Sequence, residues 1–171
     1  VGAILKQLED DGLAEDTIVF FYSDHGSGMP RHKRALLDSG MKVALIVRFP
    51  EKYRHLALSD PGIRSDRLVS FDDYGPTVLS LTEAEIPAYM EGKPFLGQAA
   101  GPARRYVYGH RDRVDEVHDL ARSVRDERYL YIRNYMPHKI YGQFINYMFQ
   151  TPTTRIWREL YDAGKLSAPR T

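Results

Sequence analysis

The chain has 171 residues, enough for one well-buried core or for part of a larger domain. With 43% hydrophobic and 27% charged residues its composition is ordinary for a globular protein, which excludes disorder and collagen-like repetition. A formal net charge of +1 argues against a dedicated nucleic-acid binder, and the absence of cysteine excludes disulfides, thiolate metal sites and a cysteine nucleophile within this chain.

Apolar residues at Val1, Ile4, Leu5 and Leu8 have helical spacing, which predicts an amphipathic helix over 1–11 with Gly12 as its C-terminal cap. The chain starts with valine inside that pattern, so the expectation is the C-terminal portion of a longer protein. No signal peptide or apolar run of membrane-spanning length lies within these residues, which carries no information on the start of the longer protein. Residues 17–22 (Thr-Ile-Val-Phe-Phe-Tyr) predict a strand, read as a buried parallel strand that delivers Ser23-Asp24-His25-Gly26 to a sheet edge. Residues 26–41 are rich in Gly, Pro, Arg, Lys and His without periodicity and read as a functional loop. Val43-Ala44-Leu45-Ile46-Val47-Arg48-Phe49 is a second apolar run, stopped by Pro50, of the kind expected where both faces of a strand are covered.

Residues 51–65 are polar and irregular. Ser70-Phe71-Asp72-Asp73 reads as the start of a helix reaching Leu81. A Pro- and Gly-rich loop follows from Ile86 to Pro102, and Arg105 to Gly109 reads as a strand. The runs Ala121 to Val124 and Tyr129 to Arg133 flank Arg125-Asp126-Glu127-Arg128 and predict a hairpin. Residues 141–163 are aromatic and mostly helical, with Pro152 marking a break or a new helix start. The fold class read from this order is α/β, with residues 1–100 forming part of an α/β domain and 101–171 a smaller antiparallel and helical subdomain.

Chemistry concentrates in residues 24–34. Asp24 and His25 can ligate a cation, Arg31-His32-Lys33-Arg34 offers consecutive donors, and Gly26, Gly28 and Pro30 shape the loop between them. An Asp after a strand also serves as a turn or helix cap, and a basic run also serves as a solvated surface loop. Their occurrence in order between two apolar runs is what favours an anion site.

These residues carry a resemblance. Ser23-Asp24-His25-Gly26, Lys33, Leu37-Asp38-Ser39-Gly40 and Val43 to Pro50 resemble the C-terminal half of the sulfatase family, within the alkaline phosphatase superfamily. Val69 to Leu79, Lys93 to Gly97, Tyr108 to Glu116 and Ser123 to Asn134 resemble later segments of bacterial members. The resemblance implies an alkaline-phosphatase-like sheet with flanking helices. It implies that Asp24 and His25 are two ligands of an active-site Ca²⁺, and that Lys33 contacts the sulfate and the leaving-group oxygen. The nucleophile would be a formylglycine supplied, with further metal ligands, by the N-terminal half of the same protein. The implied partner is a sulfated small molecule or glycan, and the implied location is periplasmic or secreted. Ala44 replaces a usual proline and Leu37 a frequent tyrosine, while the imidazole of His25 departs from calcium's preference for oxygen.

The remaining candidates are substrate contacts. His32 lies in the loop, and His110, Arg111 and Arg113 lie in a charged stretch read as following a strand, where they can meet carboxylate or sulfate groups or form an internally paired loop. Tyr129, Tyr131, Tyr135, Tyr141 and Tyr147, with Phe144 and Phe149, are a sugar-stacking platform or ordinary half-buried packing. His118 and His138 read as structural. The leading function is hydrolysis of sulfate esters or N-sulfates, of a carbohydrate in the first instance. The alternatives are phosphomonoester or phosphonate-ester hydrolysis on the same scaffold, and a non-catalytic module that binds sulfated glycans.

Overall fold

The structure, a computed structural model, describes residues 1–140 and 142–167. In chain order its elements are α1 (Gly2–Asp10), β1 (Val19–Tyr22), α2 (Asp38–Met41), β2 (Leu45–Arg48), α3 (Tyr74–Leu81), β3 (Val107–Val114), β4 (Val117–Arg125), β5 (Leu130–Asn134), α4 (Asn146–Phe149) and α5 (Pro152–Asp162). The fold is mixed α/β, with a two-stranded sheet β1-β2 and a three-stranded sheet β3-β4-β5. Among the described residues no helix is long and apolar enough to cross a membrane. The chain forms two compact units, Val1–Tyr22 with Leu45–Val107, and Ser23–Ala44 with Tyr108–Thr171. The loop after β1 is therefore grouped with the C-terminal segment.

In the first unit α1 closes on Gly12, which sits in the left-handed region at φ 71°. This lets the Leu13 N–H return to the Leu8 carbonyl at 2.9 Å, the cap that the sequence predicts. Strand β1 corrects the expectation of a parallel, doubly covered strand. It pairs antiparallel with β2, Val19 opposite Arg48 and Tyr22 opposite Leu45. Phe21 is 43% and Ile46 60% exposed. A short apolar run specifies a strand but carries no information on the direction of its neighbour or on what lies over its faces.

The first unit is organised around a single carboxylate. Ser70 starts a capping box in which its backbone N–H donates to Asp73 Oδ2 at 2.9 Å, and the chain passes through one 3₁₀ turn, Phe71–Asp73, into α3. Asp73 is 1% exposed. It also accepts the Lys93 N–H at 2.7 Å and the Arg104 Nε–H at 2.8 Å, with a second Arg104 nitrogen completing a forked ion pair. Along the same face of α3, buried Thr77 Oγ1 donates to the Asp73 carbonyl at 2.6 Å and accepts the Phe95 N–H at 3.1 Å. One turn further, Ser80 Oγ accepts the Ala99 N–H at 2.9 Å. Positions 73, 77 and 80 share one helix face, so this polar ladder pins the irregular 93–104 segment against α3. Tyr74 packs edge-on to Tyr22, ring centroids 4.9 Å apart, and ties α3 to β1.

In the second unit the sheet is a meander. The two-residue connection Asp115-Glu116 joins β3 to β4, with Asp115 at φ 51°. Strands β4 and β5 pair antiparallel from Ala121 opposite Asn134 to Arg125 opposite Leu130. Asp126 Oδ1 accepts the N–H groups of Arg128 and Tyr129 at 2.8 and 2.5 Å, forming the hairpin turn that was expected. Strand β3 runs through Val114, so His110, Arg111 and Arg113 lie within a strand, not in a loop after one. The alternation apolar–polar there was masked by charge on both faces. Met41 at the end of α2 rests on Ser123 of the sheet, Oγ to Sδ 3.8 Å. Ile145, 2% exposed, is the most buried apolar side chain among the described residues. Pro152 opens α5 at its first turn, the new start read from sequence. Tyr141, part of the expected aromatic stretch, lies outside the described residues.

Burial alone would raise the Asp73 pKa. The Arg104 hydrogen bonds, the N–H groups of Lys93 and Ser70 and the Arg104 charge outweigh it, so the group ionises below the usual carboxylate range. Its stabilising contribution is therefore complete above the unfolded value of about pH 4 and is lost as pH falls through the lower folded value. Asp73→Asn leaves the mostly buried Arg104 guanidinium with only the more distant, exposed Asp72 carboxylate at 3.5 Å as counter-charge. It is expected to lower stability by about 3–5 kcal/mol in urea denaturation at neutral pH, and the difference from wild type should shrink on acidification.

Candidate functional site

The site is built on residues 23–44 of the second unit. At the end of β1 the chain turns, with Ser23 Oγ donating to the His25 carbonyl at 2.8 Å. Gly26 N–H then donates to the Gly40 carbonyl at 3.0 Å. A Cβ on Gly26 would overlap the Ser39 carbonyl oxygen, so glycine is required by the close approach of two backbones.

His25 Nδ1 lies 2.6 Å from the Gly26 carbonyl, an acceptor only, so Nδ1 carries the proton. In the neutral ring this leaves a lone pair on Nε2, which lies 3.2 Å from Asp24 Oδ2. A nitrogen lone pair and a carboxylate oxygen at that separation repel unless a positive species, a proton or a metal ion, sits with them. The Asp24 side chain is 81% and that of His25 37% exposed, so the pair is open to solvent. The donor set fits a divalent cation that takes further ligands from elsewhere. Among the described residues no group of three or more His, Asp or Glu side chains gathers to hold one.

Lys33 sits on a tightly folded loop. Its N–H donates to the Ser27 carbonyl at 2.9 Å, and Ser39 Oγ donates to the Arg31 carbonyl at 2.6 Å. Arg31 and Arg34, on either side, have φ of 65° and 73°, a conformation that non-glycine residues keep only when their surroundings enforce it. Arg34 is held by Asp115 at 2.9 Å, and its carbonyl accepts a hydrogen bond from Arg111 at 3.3 Å. Lys33 Nζ and the Arg34 guanidinium carbon each lie 4.9 Å from the Tyr147 ring centroid.

These groups border an open cavity of about 380 Å³, whose walls include His25, Lys33, Arg34, Tyr147, Met148 and Gln150. No carboxylate is among its described lining residues. Two permanent cations and an imidazole without a lining acid make a site for an anion.

The predicted residues divide accordingly. His25 and Lys33 share the cavity, and Asp24 adjoins it through His25. His32 is turned to Ser27, its Nδ1 2.9 Å from Oγ. Arg111, with a side chain 10% exposed, pairs with Asp119 at 3.0 Å and supports the Arg34 backbone, the internally paired alternative read from sequence. Arg113 donates to the Asp115 carbonyl at 2.9 Å, and His110 is exposed; neither lines the cavity. From sequence Arg34 is read only within a run of donors and Tyr147 only within a stacking platform or ordinary packing, and the two are not connected. Arg34 was one of four basic residues in a row, and Tyr147 one of several aromatics far down the chain, with no spacing signal to connect them.

A family model described as Sulfatase matches residues 1–84. A curated relative, the "Ulvan-active sulfatase" of Formosa agariphila, is 46% identical over 167 residues, 98% of this chain and 27% of that protein, in its C-terminal part. The "N-sulphoglucosamine sulphohydrolase" of Homo sapiens is 34% identical over 89 residues, 52% of this chain and 17% of that protein. A solved structure of a complex with the substrate D-glucosamine-2-N,6-O-disulfate aligns over 96% of this chain and 37% of that one, with 17% identity and a TM-score of 0.48. The chain thus spans about a quarter of the length of the first curated relatives it matches.

Gly26→Ala is expected to force the 24–26 turn off Ser39 and Gly40. The cost should be about 1–3 kcal/mol in denaturant titration, with faster proteolytic cutting between residues 24 and 40. Unchanged stability and cutting would contradict the close approach.

Proposed function

The chain belongs to the sulfatase family, and on that premise we propose that it carries part of the active site of an enzyme hydrolysing sulfate esters or N-sulfates of a carbohydrate. The observation that carries the reading is the convergence of Lys33, Arg34 and His25 on one acid-free cavity beside Asp24.

Lys33 is assigned to the sulfate and the leaving oxygen. A compact ammonium on a flexible stem can follow negative charge as it moves from the sulfuryl group to the departing alcohol. Arg34, anchored by Asp115, supplies fixed positive charge at the same cavity and holds the anion before and after bond breaking. Asp24 Oδ2 and His25 Nε2 would hold a calcium ion, with the remaining ligands coming from residues outside this chain. The Nδ1–H bond to the Gly26 carbonyl keeps His25 in the tautomer that ligation needs. Calcium accepts six to eight ligands, so one imidazole among oxygens is compatible with it. When bound, the ion would polarise the sulfate oxygens as a Lewis acid. The nucleophile, a formylglycine, is assigned to the part of the protein outside this chain.

The name of the 46% identical relative supports a sulfated polysaccharide as substrate class. Arg111 is assigned to holding the loop, and His32, His110 and Arg113 to the periphery of the sugar site.

In the whole protein, Lys33→Ala and Asp24→Ala should each lower the rate of sulfate release from ulvan by about 10²–10³-fold. Chelation should abolish the wild-type rate and added Ca²⁺ restore it, while Asp24→Ala should respond weakly to Ca²⁺. Wild-type rates in both variants would contradict the assignment. Faster release of phosphate from a monoester than of sulfate from ulvan would favour a phosphoesterase, and binding of ulvan without release would favour a non-catalytic module.

A further inference from the structure

We infer that Tyr147 is a positioning residue for Lys33, its ring placing the ammonium group where it meets a bound sulfate. This rests on the sulfatase reading of the same cavity.

Tyr147 stands on a four-residue helical turn, α4, whose flanks are anchored. Ile145 just before it is 2% exposed. The Asn146 N–H donates to Glu116 Oε1 at 2.6 Å, and the Thr151 N–H closes on the Met148 carbonyl at 3.2 Å. Phe144 and Phe149 stack across the turn with ring centroids 4.5 Å apart. The backbone of Tyr147 is thus fixed from both sides, yet the residue itself is 55% exposed. Its ring does not serve to fill a core; what it meets is Lys33 and Arg34 at the cavity wall.

The two cations depend on the ring unequally. Arg34 has the Asp115 carboxylate at 2.9 Å to hold its head group. Among the described residues the Lys33 ammonium makes no hydrogen bond or ion pair, so the aromatic face is what places it. A lysine stem left free samples many rotamers, and confining its charge before the anion arrives removes most of that loss from the binding step. A cation–π contact suits the task because it restricts the ammonium while leaving the N–H donors turned away from the ring for the anion.

The test uses the whole protein and inorganic sulfate as probe, with affinity measured by calorimetry for wild type, Tyr147→Phe, Tyr147→Leu, Lys33→Ala and the double variant Lys33→Ala/Tyr147→Leu. Because Tyr147 is half exposed, its truncation should leave the melting temperature unchanged. Tyr147→Leu should weaken sulfate binding about tenfold, and Tyr147→Phe, which keeps the ring, should bind as wild type. In the Lys33→Ala background the leucine substitution should have less than about a twofold effect, since a residue acting through Lys33 has nothing left to act on. Equal losses in both backgrounds, equal losses for Phe and Leu, or no loss with Leu would each overturn the inference while Lys33→Ala still weakens sulfate binding. If Lys33→Ala leaves sulfate binding intact, the Lys33 assignment in the functional reading falls, and this inference with it.

Discussion

Gly26 and Gly40 touch backbone to backbone, and the loop from residue 23 to 44 takes its shape from that closure. The Gly26 N–H bond to the Gly40 carbonyl fastens the turn that presents Asp24 and His25 to the end of the segment that carries Lys33. Side chains at either position would be driven into carbonyl oxygens, those of Ser39 at one and of His32 and Ala35 at the other. The closure stores strain as well. Arg31 and Arg34 both hold left-handed backbone angles, each costing of order 1–2 kcal/mol. Ser39, Arg111 and Asp115 restrain these residues by bonds to the Arg31 carbonyl, the Arg34 carbonyl and the Arg34 guanidinium. A loop held this way has lost its conformational entropy before any anion is bound, which is the condition for strong electrostatic stabilisation.

The two units solve the problem of polar groups in different ways. In the first, one nearly inaccessible carboxylate accepts bonds from Ser70, Lys93 and Arg104, so desolvation is offset by a complete set of donors. In the second, charge is distributed over several pairs, the largely buried Arg111 with Asp119 and the more exposed Arg34 with Asp115 and Arg125 with Asp38. Solvent and salt weaken such pairs. Their value lies in register, because Arg111–Asp119 ties β3 to β4, Arg125–Asp38 ties β4 to the site segment, and Arg34–Asp115 ties the site loop to the β3–β4 turn.

Features set by local chemistry were legible in the sequence. The Gly12 cap, the Ser70 start of α3, the turn at Asp126 and the helix opening at Pro152 follow from residue types that satisfy or release specific backbone groups. The strand before Ser23 and the basic loop containing Lys33 were legible for the same reason. What was not legible depends on partners distant in the chain. The apolar run of β1 does not encode an antiparallel neighbour, and the charges of β3 hide its alternation. Arg111 looks like a ligand group until Asp119 and the Arg34 carbonyl are found beside it. Tyr147 is one tyrosine among twelve, and only the fold brings it to Lys33.

The sharing of one ring by two cations has a further consequence. Lys33 and Arg34 each lie 4.9 Å from the Tyr147 centroid, and with Arg34 paired to Asp115 the Lys33 ammonium is left to turn its positive charge on the cavity. An entering anion is drawn by that charge, whereas a neutral alcohol is not. A cavity so charged ranks molecules by valence before it reads their shape. It favours an anion over a neutral molecule of the same shape.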